Sequence, residues 1–164
     1  MSNILKLIVS LAAPQLTGFV SAFLTDTGNS PWYRSISKPS WNPPNWVFAP
    51  VWTLLYLLMG IAFYLVWKSE ASGDVKRWAM GLWIVQLAFN FFWTIIFFGT
   101  HQIGWALIEI IGLWFLIFLT ILAFSRITKI AAWLMVPYIS WVTFASLLTF
   151  TIYELNTAHQ AFPG

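Results

Sequence analysis

The chain has 164 residues, of which 60% are hydrophobic and only 8% are charged. Water-soluble domains carry roughly 25% charged residues, so this composition excludes a water-soluble globular domain and predicts a protein that faces lipid. The net charge of +3 rests on eight scattered Lys and Arg residues, which excludes a basic nucleic-acid-binding patch, and the lack of cysteine excludes disulfides and thiolate sites.

Five apolar runs are long enough to cross a membrane, since a hydrocarbon core about 30 Å thick requires roughly 20 apolar residues per helix. The runs are Ile4–Leu24, Val47–Trp67, Ala79–Phe98, Ile103–Phe124 and Ala131–Tyr153. They predict an all-α membrane protein, a five-transmembrane-helix bundle that forms a single domain over residues 1–164. The last four helices are joined by short links, so their neighbours must run antiparallel.

The basic residues are divided unevenly between the two sides of the predicted bundle. The N-terminus and the even-numbered loops carry six of them: Lys6, Lys68, Lys76, Arg77, Arg126 and Lys129. The opposite side has only Arg34 and Lys38. The positive-inside rule then places the N-terminus in the cytoplasm and the first loop outside. This predicts a multi-pass protein of a bacterial cell membrane, and an outer-membrane or organellar location stays open.

The first run also has features of a signal peptide, because Lys6 precedes the apolar stretch Leu7–Ala13. Apolar character resumes after Pro14 and continues to Leu24, without a clear cleavage site. The sequence therefore favours a membrane span that is retained.

The first connection, residues 25–46, is long and rich in Gly, Ser, Pro and Trp. Proline fixes its own backbone and restricts the residue before it, so Pro39 with Pro43 and Pro44 predicts a stiff segment. This segment can hold two tryptophans at the membrane face. We interpret Trp46 as an interfacial anchor and Trp41 as a lid over a cavity in the bundle.

Polar and aromatic residues share one face of the third predicted span. Trp83, Gln86, Asn90 and Trp93 recur at intervals of three or four, which places them on one side of a helix. Amides in a membrane usually face the bundle interior. Two interpretations stay open: Gln86 and Asn90 bond neighbouring helices, or Asn90 orients the polar edge of a flat ligand on which Trp93 stacks.

Two further tryptophans indicate a cavity. Trp52 lies one turn before Tyr56, and Trp141 lies one turn after Pro137 and one turn before Ala145. Proline removes a backbone hydrogen bond and can kink the fifth helix, while Ala145 leaves room beside the indole. These positions predict a cavity flanked by Trp52 and Trp141; the alternative is that both indoles only pack in the core.

Three titratable residues require an interpretation. Glu109 lies within the fourth predicted span, where an ionisable group is a functional candidate. Because it is close to the start of that helix, we expect it to reach the interface or bond another helix. His101, in the third loop, and His159, in the tail, are expected to be solvated, so no metal site is predicted.

Several motifs occur together in a recognisable order. They are Trp32-Tyr33-Arg34, Lys38-Pro39-Ser40-Trp41-Asn42-Pro43-Pro44, Phe48-Ala49-Pro50-Val51-Trp52, Gln86-Leu87-Ala88-Phe89-Asn90, Gly104-Trp105-Ala106 and Pro137-Tyr138 with Trp141. In order and spacing they resemble the translocator protein family, which is also called the tryptophan-rich sensory protein or peripheral benzodiazepine receptor family. The resemblance covers about Trp32–Tyr153.

The resemblance implies a domain of this family that binds tetrapyrroles, such as protoporphyrin IX or haem, for transport, sensing or stress regulation. It requires no cofactor, and the expected partners are the ligand and the lipid bilayer, with no nucleic acid. The ligand-binding residues that it implies are Tyr33, Trp41, Trp52, Asn90, Trp93, Trp105, Trp141, Ala145 and Leu148.

Two alternative functions remain. Light- and oxygen-dependent degradation of porphyrin would make the protein an enzyme, and the resemblance then implies Trp52 and Trp141 as the catalytic residues. A structural or partner-binding homodimer is the other alternative. Gly18 and Ala22 lie one turn apart, and small residues at this spacing let two membrane helices approach closely.

Overall fold

The computed structural model describes residues 2–27 and 30–161, and of residues 158–161 the backbone alone. The helices within this range are α1 (Asn3–Thr25), α2 (Pro31–Ser35), α3 (Asn45–Lys68), α4 (Gly73–Thr94), α5 (Ile103–Ser125), α6 (Lys129–Leu134) and α7 (Val136–Ala161). A π-helical segment, Ile95–Gly99, continues α4, and α6 with α7 forms one span. Five helical segments of the described chain are thus long and apolar enough to cross a membrane. The prediction of an all-α, multi-pass membrane bundle is confirmed.

The observed helices extend beyond the predicted spans at their polar ends. The largest difference at a helix start is at α4, which begins at Gly73 rather than Ala79. Its first turns carry Asp74 and Arg77, whose side chains form an ion pair on the protein surface. A span predicted from an apolar run ends at such charges, although the helix itself continues past them.

The fifth span is interrupted, as Pro137 predicts. The break lies at Met135, two residues before the proline. The Met135 N–H bonds to the Ala132 carbonyl, three residues back, at 3.1 Å. Because proline has no N–H to donate, the first turn of α7 cannot continue the hydrogen-bond ladder of α6. The last span therefore consists of two helical pieces.

The five spans form a closed ring. Helix α1 packs against α3 and α4, α5 packs between α4 and α7, and α3 packs on α6 but touches α7 only slightly. The ring is therefore tight at the end that carries α6, and α3 and α7 diverge toward the end that carries the first loop. The core contains Met59, Trp83 and Tyr138, all of them almost completely buried. Exposed apolar side chains such as Phe23 and Ile108 face outward, where the bilayer lies.

The tight end depends on a close approach between α1 and α3. Pro14 lies inside α1 and has no N–H to bond the Ser10 carbonyl four residues earlier. That carbonyl oxygen lies against Gly60 of α3, where an added Cβ atom would be only 2.6 Å from it. Only glycine leaves room for the two backbones at this point.

Replacing Gly60 by Ala should lower the free energy of unfolding by roughly 1–3 kcal/mol, as overpacking of a well-packed core does. The new methyl group would meet a backbone oxygen, which can move only if α1 shifts. Thermal unfolding in detergent micelles measures the effect. Gly81→Ala is the control, because a Cβ atom at Gly81 meets nothing within 4 Å and alanine is the better helix former. A Gly60→Ala variant as stable as the Gly81→Ala variant would contradict the packing described.

Candidate ligand-binding cavity

The divergence of the helices leaves a cavity of about 500 Å³ at the end of the bundle that carries the first loop. Its walls come from the second half of α1, the first half of α3, the end of α4 with its π-helical segment, and the middle of α7. Tyr33, in the short helix α2, lines it from the loop. The cavity therefore exists only where all four of these spans and the loop come together.

Aromatic rings form much of the wall. The Trp52 ring lies 5.3 Å from the Tyr56 ring, centroid to centroid, and the Trp93 ring stacks on Phe97 at 5.1 Å and 15°. Trp141 packs edge-on against Phe48 at 5.9 Å. Aromatic pairs in such offset or edge-to-face arrangements hold one another in place. Three indoles thus stand in fixed orientations around one space.

The cavity is uncharged. None of the described residues that line it is Asp, Glu, Lys, Arg or His, and its polar groups are hydroxyls and amides such as those of Asn45, Thr94 and Thr149. The Thr149 hydroxyl already donates to the Ala145 carbonyl of its own helix at 2.8 Å. A ligand in this cavity would be recognised chiefly by flat, apolar contact.

Six of the nine residues predicted to bind a ligand line this one cavity. They are Tyr33, Trp52, Trp93, Trp141, Ala145 and Leu148. Ala145 follows Trp141 by one turn, so its small side chain leaves space beside the indole, as the sequence predicts. The expected pairing of Trp52 and Trp141 around one space agrees with the structure.

The structure does not bring Trp41 or Trp105 to the cavity wall. Trp41 is 48% exposed and packs edge-on against Phe144, with the ring centroids 5.9 Å apart. Trp105 is 65% exposed on the outer side of α5, next to the fully buried Ala106. The sequence could not distinguish these two from the cavity tryptophans, because an indole is equally suited to an apolar cavity and to lipid. Trp46 is 75% exposed in the first turn of α3, and its role as an interfacial anchor stays a prediction.

Asn90 lies behind the wall and joins three helices. Its side-chain oxygen accepts a hydrogen bond from the Tyr56 hydroxyl at 2.7 Å, and its side-chain nitrogen donates to the Tyr138 hydroxyl at 3.3 Å. Asn90 is 2% exposed and does not line the cavity. Of the two interpretations left open by the sequence, this arrangement agrees with interhelical bonding and leaves no free amide edge toward a ligand. We call Tyr56, Asn90 and Tyr138 the polar bridge.

Other buried polar groups behave differently from the expectation. Gln86 is completely buried, yet neither atom of its side-chain amide has a hydrogen-bond partner among the described residues. The predicted bond from Gln86 to a neighbouring helix is therefore not observed. The Glu109 carboxyl oxygens are also buried without a partner in that part of the chain, so the bond to another helix, one of the two alternatives expected for Glu109, is not observed there.

His101 lies away from the cavity. His101 is exposed in the third loop, as expected, and stacks on Trp32 with ring centroids 4.4 Å apart. Its backbone has a positive φ of 59°, two residues after the π-helical segment ends at Gly99. The side chain of His159 lies outside the described part of the chain.

The first loop is internally ordered around Tyr33. The Tyr33 hydroxyl donates to the Asn42 side-chain oxygen at 3.1 Å, and the Lys38 ammonium donates to the Tyr33 carbonyl at 2.5 Å and the Ile36 carbonyl at 2.8 Å. Burial raises the pKa of the Tyr33 phenol, an effect that the hydrogen bond with Asn42 opposes, and lowers the pKa of the Lys38 ammonium. The Lys38 ammonium thus donates hydrogen bonds to more than one carbonyl group at the end of α2.

Sequence reasoning missed the contribution of α1. Gln15, Gly18, Phe19 and Ala22 all line the cavity. Gly18 and Ala22 were expected to form a contact face with a second copy of the chain, but Gly18 faces Tyr56, whose ring leaves no room for a Cβ atom there. The glycine did indicate a close approach, but the residue that approaches it is Tyr56 of the same chain. The close approach at Gly18 is thus explained within one chain, and the homodimer stays a prediction.

The chain is similar to known proteins over most of its length. The TspO/MBR family model matches residues 10–154. The "Tryptophan-rich protein TspO" of Archaeoglobus fulgidus is 41% identical, covering 94% of this chain and 99% of that protein. The "Translocator protein" of Homo sapiens is 38% identical, covering 88% and 86%. The "Tryptophan-rich sensory protein" of Cereibacter sphaeroides is 41% identical, covering 76% and 77%.

Replacing Asn90 by Leu should destabilise the fold by roughly 1–3 kcal/mol, because the buried hydroxyls of Tyr56 and Tyr138 would lose their partner. The measurement is the thermal unfolding midpoint in detergent. The control is the triple variant Tyr56→Phe, Asn90→Leu and Tyr138→Phe, which removes all three polar groups and should recover much of the loss, since deleting both partners of a buried bond is close to neutral. An Asn90→Leu variant with the wild-type midpoint would show that the polar bridge does not hold the helices.

Proposed function

The chain belongs to the TspO/MBR family, and we propose that it binds flat hydrophobic tetrapyrroles, protoporphyrin IX or haem, in the cavity for transport or sensing. The observation that carries the proposal is the meeting of Trp52, Trp93 and Trp141, from three different spans, around one cavity of about 500 Å³. Pockets for small ligands occupy roughly 300–1,000 Å³ and are lined mainly by apolar and aromatic side chains. The cavity meets both conditions.

The chemistry of the walls fits the flat faces of a macrocycle better than a small ion. A porphyrin offers two wide aromatic faces, and indole and phenyl rings stack on such faces. The described lining residues carry no charge, so a small anion or cation would lose its hydration without gaining an oppositely charged partner. The relatives' names, translocator and sensory protein, are consistent with a protein that carries or detects its ligand.

Recognition would rest on the ring system rather than on iron. Haem iron is usually held by an axial side chain such as His, but His101 stacks on Trp32 outside the cavity. We therefore expect protoporphyrin IX and haem to bind with similar affinity. The protein needs no cofactor for this role, and its partners are the ligand and the surrounding bilayer.

Light- and oxygen-dependent degradation of the bound porphyrin is the second candidate function. The observation that favours it is that Trp52 and Trp141, the two candidate catalytic residues, line the same cavity. An indole is oxidised more easily than a phenyl ring, so tryptophans beside a photosensitiser can take part in its chemistry. This role includes the binding role and adds a reaction to it.

Titration with protoporphyrin IX in the dark tests binding, with tryptophan quenching and the Soret band as readouts. Trp93→Ala should weaken the affinity about tenfold, or 1.4 kcal/mol, because it removes a stacked face from the wall. Trp105→Ala is the matched control: it removes an exposed indole that does not line the cavity, and its affinity should equal that of the wild type. Equal losses in both variants, or no quenching in the wild type, would reject the site.

The same complexes under light and oxygen separate the two functions. Trp52→Phe and Trp141→Phe keep a flat apolar surface and should hold dark affinity within about tenfold. If the indoles carry the reaction, both variants lose the light-dependent product that the wild type forms. Product formation at the wild-type rate in both would reject the catalytic role and leave binding for transport or sensing.

A further inference from the structure

The first loop forms a folded cap at the cavity end of the bundle. We use "cap loop" for residues 30–44. Ser30 caps the start of α2, where its side-chain oxygen accepts from the Tyr33 N–H at 3.2 Å, and Lys38 closes the end of α2 on its carbonyls. Tyr33 faces the cavity and also bonds Asn42. The cap loop therefore keeps its shape through bonds among its own residues.

One side chain of a distant helix holds the cap loop by hydrogen bonds. The Asn156 side-chain oxygen accepts from the Ser37 N–H at 3.1 Å, and the Asn156 side-chain nitrogen donates to the Ser37 carbonyl at 2.9 Å. The two residues are separated by 119 positions. Within the described residues, no other hydrogen bond joins residues 30–44 to a span remote in sequence. The remaining links are apolar contacts: Trp32 stacks on His101, Trp41 packs on Phe144, and the loop's Tyr33 and Ile36 belong to an apolar cluster with residues of the spans.

Asn156 is well placed to act on the cavity without touching a ligand. It lies one turn after Ile152, which lines the cavity. Its side-chain nitrogen also donates to the Ile152 carbonyl at 2.7 Å, so the amide is held against its own helix and presented to Ser37. Asn156 does not itself line the cavity. Its two bonds replace water at both backbone groups of Ser37, and both must break before the cap loop lifts from α7.

We propose that Asn156 is a positioning residue that holds the cap loop closed over the cavity and so sets the rate at which ligand enters and leaves. The consequence for ligand exchange rests on the proposed function, whereas the closure itself does not. Loss of the two hydrogen bonds between Asn156 and Ser37 loosens the cap loop without unfolding it, because its apolar contacts and internal hydrogen bonds stay intact. The exchange rates change, while the contacts between cavity and ligand do not.

Closure is tested without a ligand by thiol accessibility, because the native chain has no cysteine. Ala145→Cys places a single thiol in the cavity, and its rate of modification by a charged, water-soluble methanethiosulfonate reports opening toward water. Adding Asn156→Leu, which keeps the size and removes both bonds, should raise this rate about tenfold. Asn156→Asp can still accept from the Ser37 N–H but cannot donate to its carbonyl, so it should give an intermediate rate.

Thr157→Ala is the matched control. Thr157 is exposed and adjacent to Asn156, and among the described residues its hydroxyl bonds only within its own helix, to the Tyr153 and Glu154 carbonyls. Its replacement should leave the modification rate of the introduced cavity thiol unchanged. Unfolding midpoints of all variants identify any that fold poorly, and Asn156→Asp then serves in place of Asn156→Leu. An unchanged thiol reactivity in the folded Asn156 variants overturns the proposal.

Stopped-flow mixing with protoporphyrin IX in the dark tests the consequence for ligand exchange, with the native Ala145 retained. Asn156→Leu should raise the association and dissociation rate constants together, each about tenfold, and leave Kd within about threefold. A weaker Kd at an unchanged association rate would mean that Asn156 contacts the ligand, which overturns the proposal. If the wild type does not quench at all, the proposed function fails, and the thiol reactivity alone decides whether Asn156 closes the cap loop.

Discussion

The contact between the Ser10 carbonyl and Gly60 is the constraint on which the arrangement of the bundle depends. In hydrocarbon, every exposed backbone polar group is costly, and Pro14 leaves this carbonyl without its ordinary helical partner. Gly60 lets the oxygen lie against α3 with no side chain between the two helices. Further toward the cap loop the Tyr56 ring fills the space over Gly18, and beyond that point the helices are far enough apart to enclose a cavity.

The polar bridge fixes the positions of the diverging helices around the cavity. Asn90 bonds the hydroxyls of Tyr56 and Tyr138 and so fixes α3, α4 and α7 relative to one another at the base of the cavity. The Trp52 ring packs against both tyrosine rings, at 5.3 and 6.2 Å. An amide that does not touch the cavity thus orients an indole that does. Rigid walls of this kind lower the conformational entropy that the site itself loses when a ligand binds.

The sequence predicted the number and approximate limits of the spans, because length and apolarity must both match a bilayer. It predicted the cavity face of the last span from Trp141 and Ala145, because a small residue one turn from an indole leaves room beside it, and the family resemblance added Leu148. It could not place Trp105 or the cavity face of α1. A membrane helix is apolar toward lipid and toward the core alike, so its inward face carries no hydrophobic signal. The sequence could not predict the hydrogen bonds between Ser37 and Asn156 either, because the two residues are 119 positions apart and meet only in the folded chain.

The most direct test of the account is an experimental structure of the protein with protoporphyrin IX bound. The account predicts the macrocycle inside the cavity, with its faces toward Trp52 and Trp141, and the hydrogen bonds from Asn90 to Tyr56 and Tyr138 unchanged. A porphyrin bound on the outer surface beside Trp105, or a cavity that closes on itself while the ligand binds elsewhere, would contradict it.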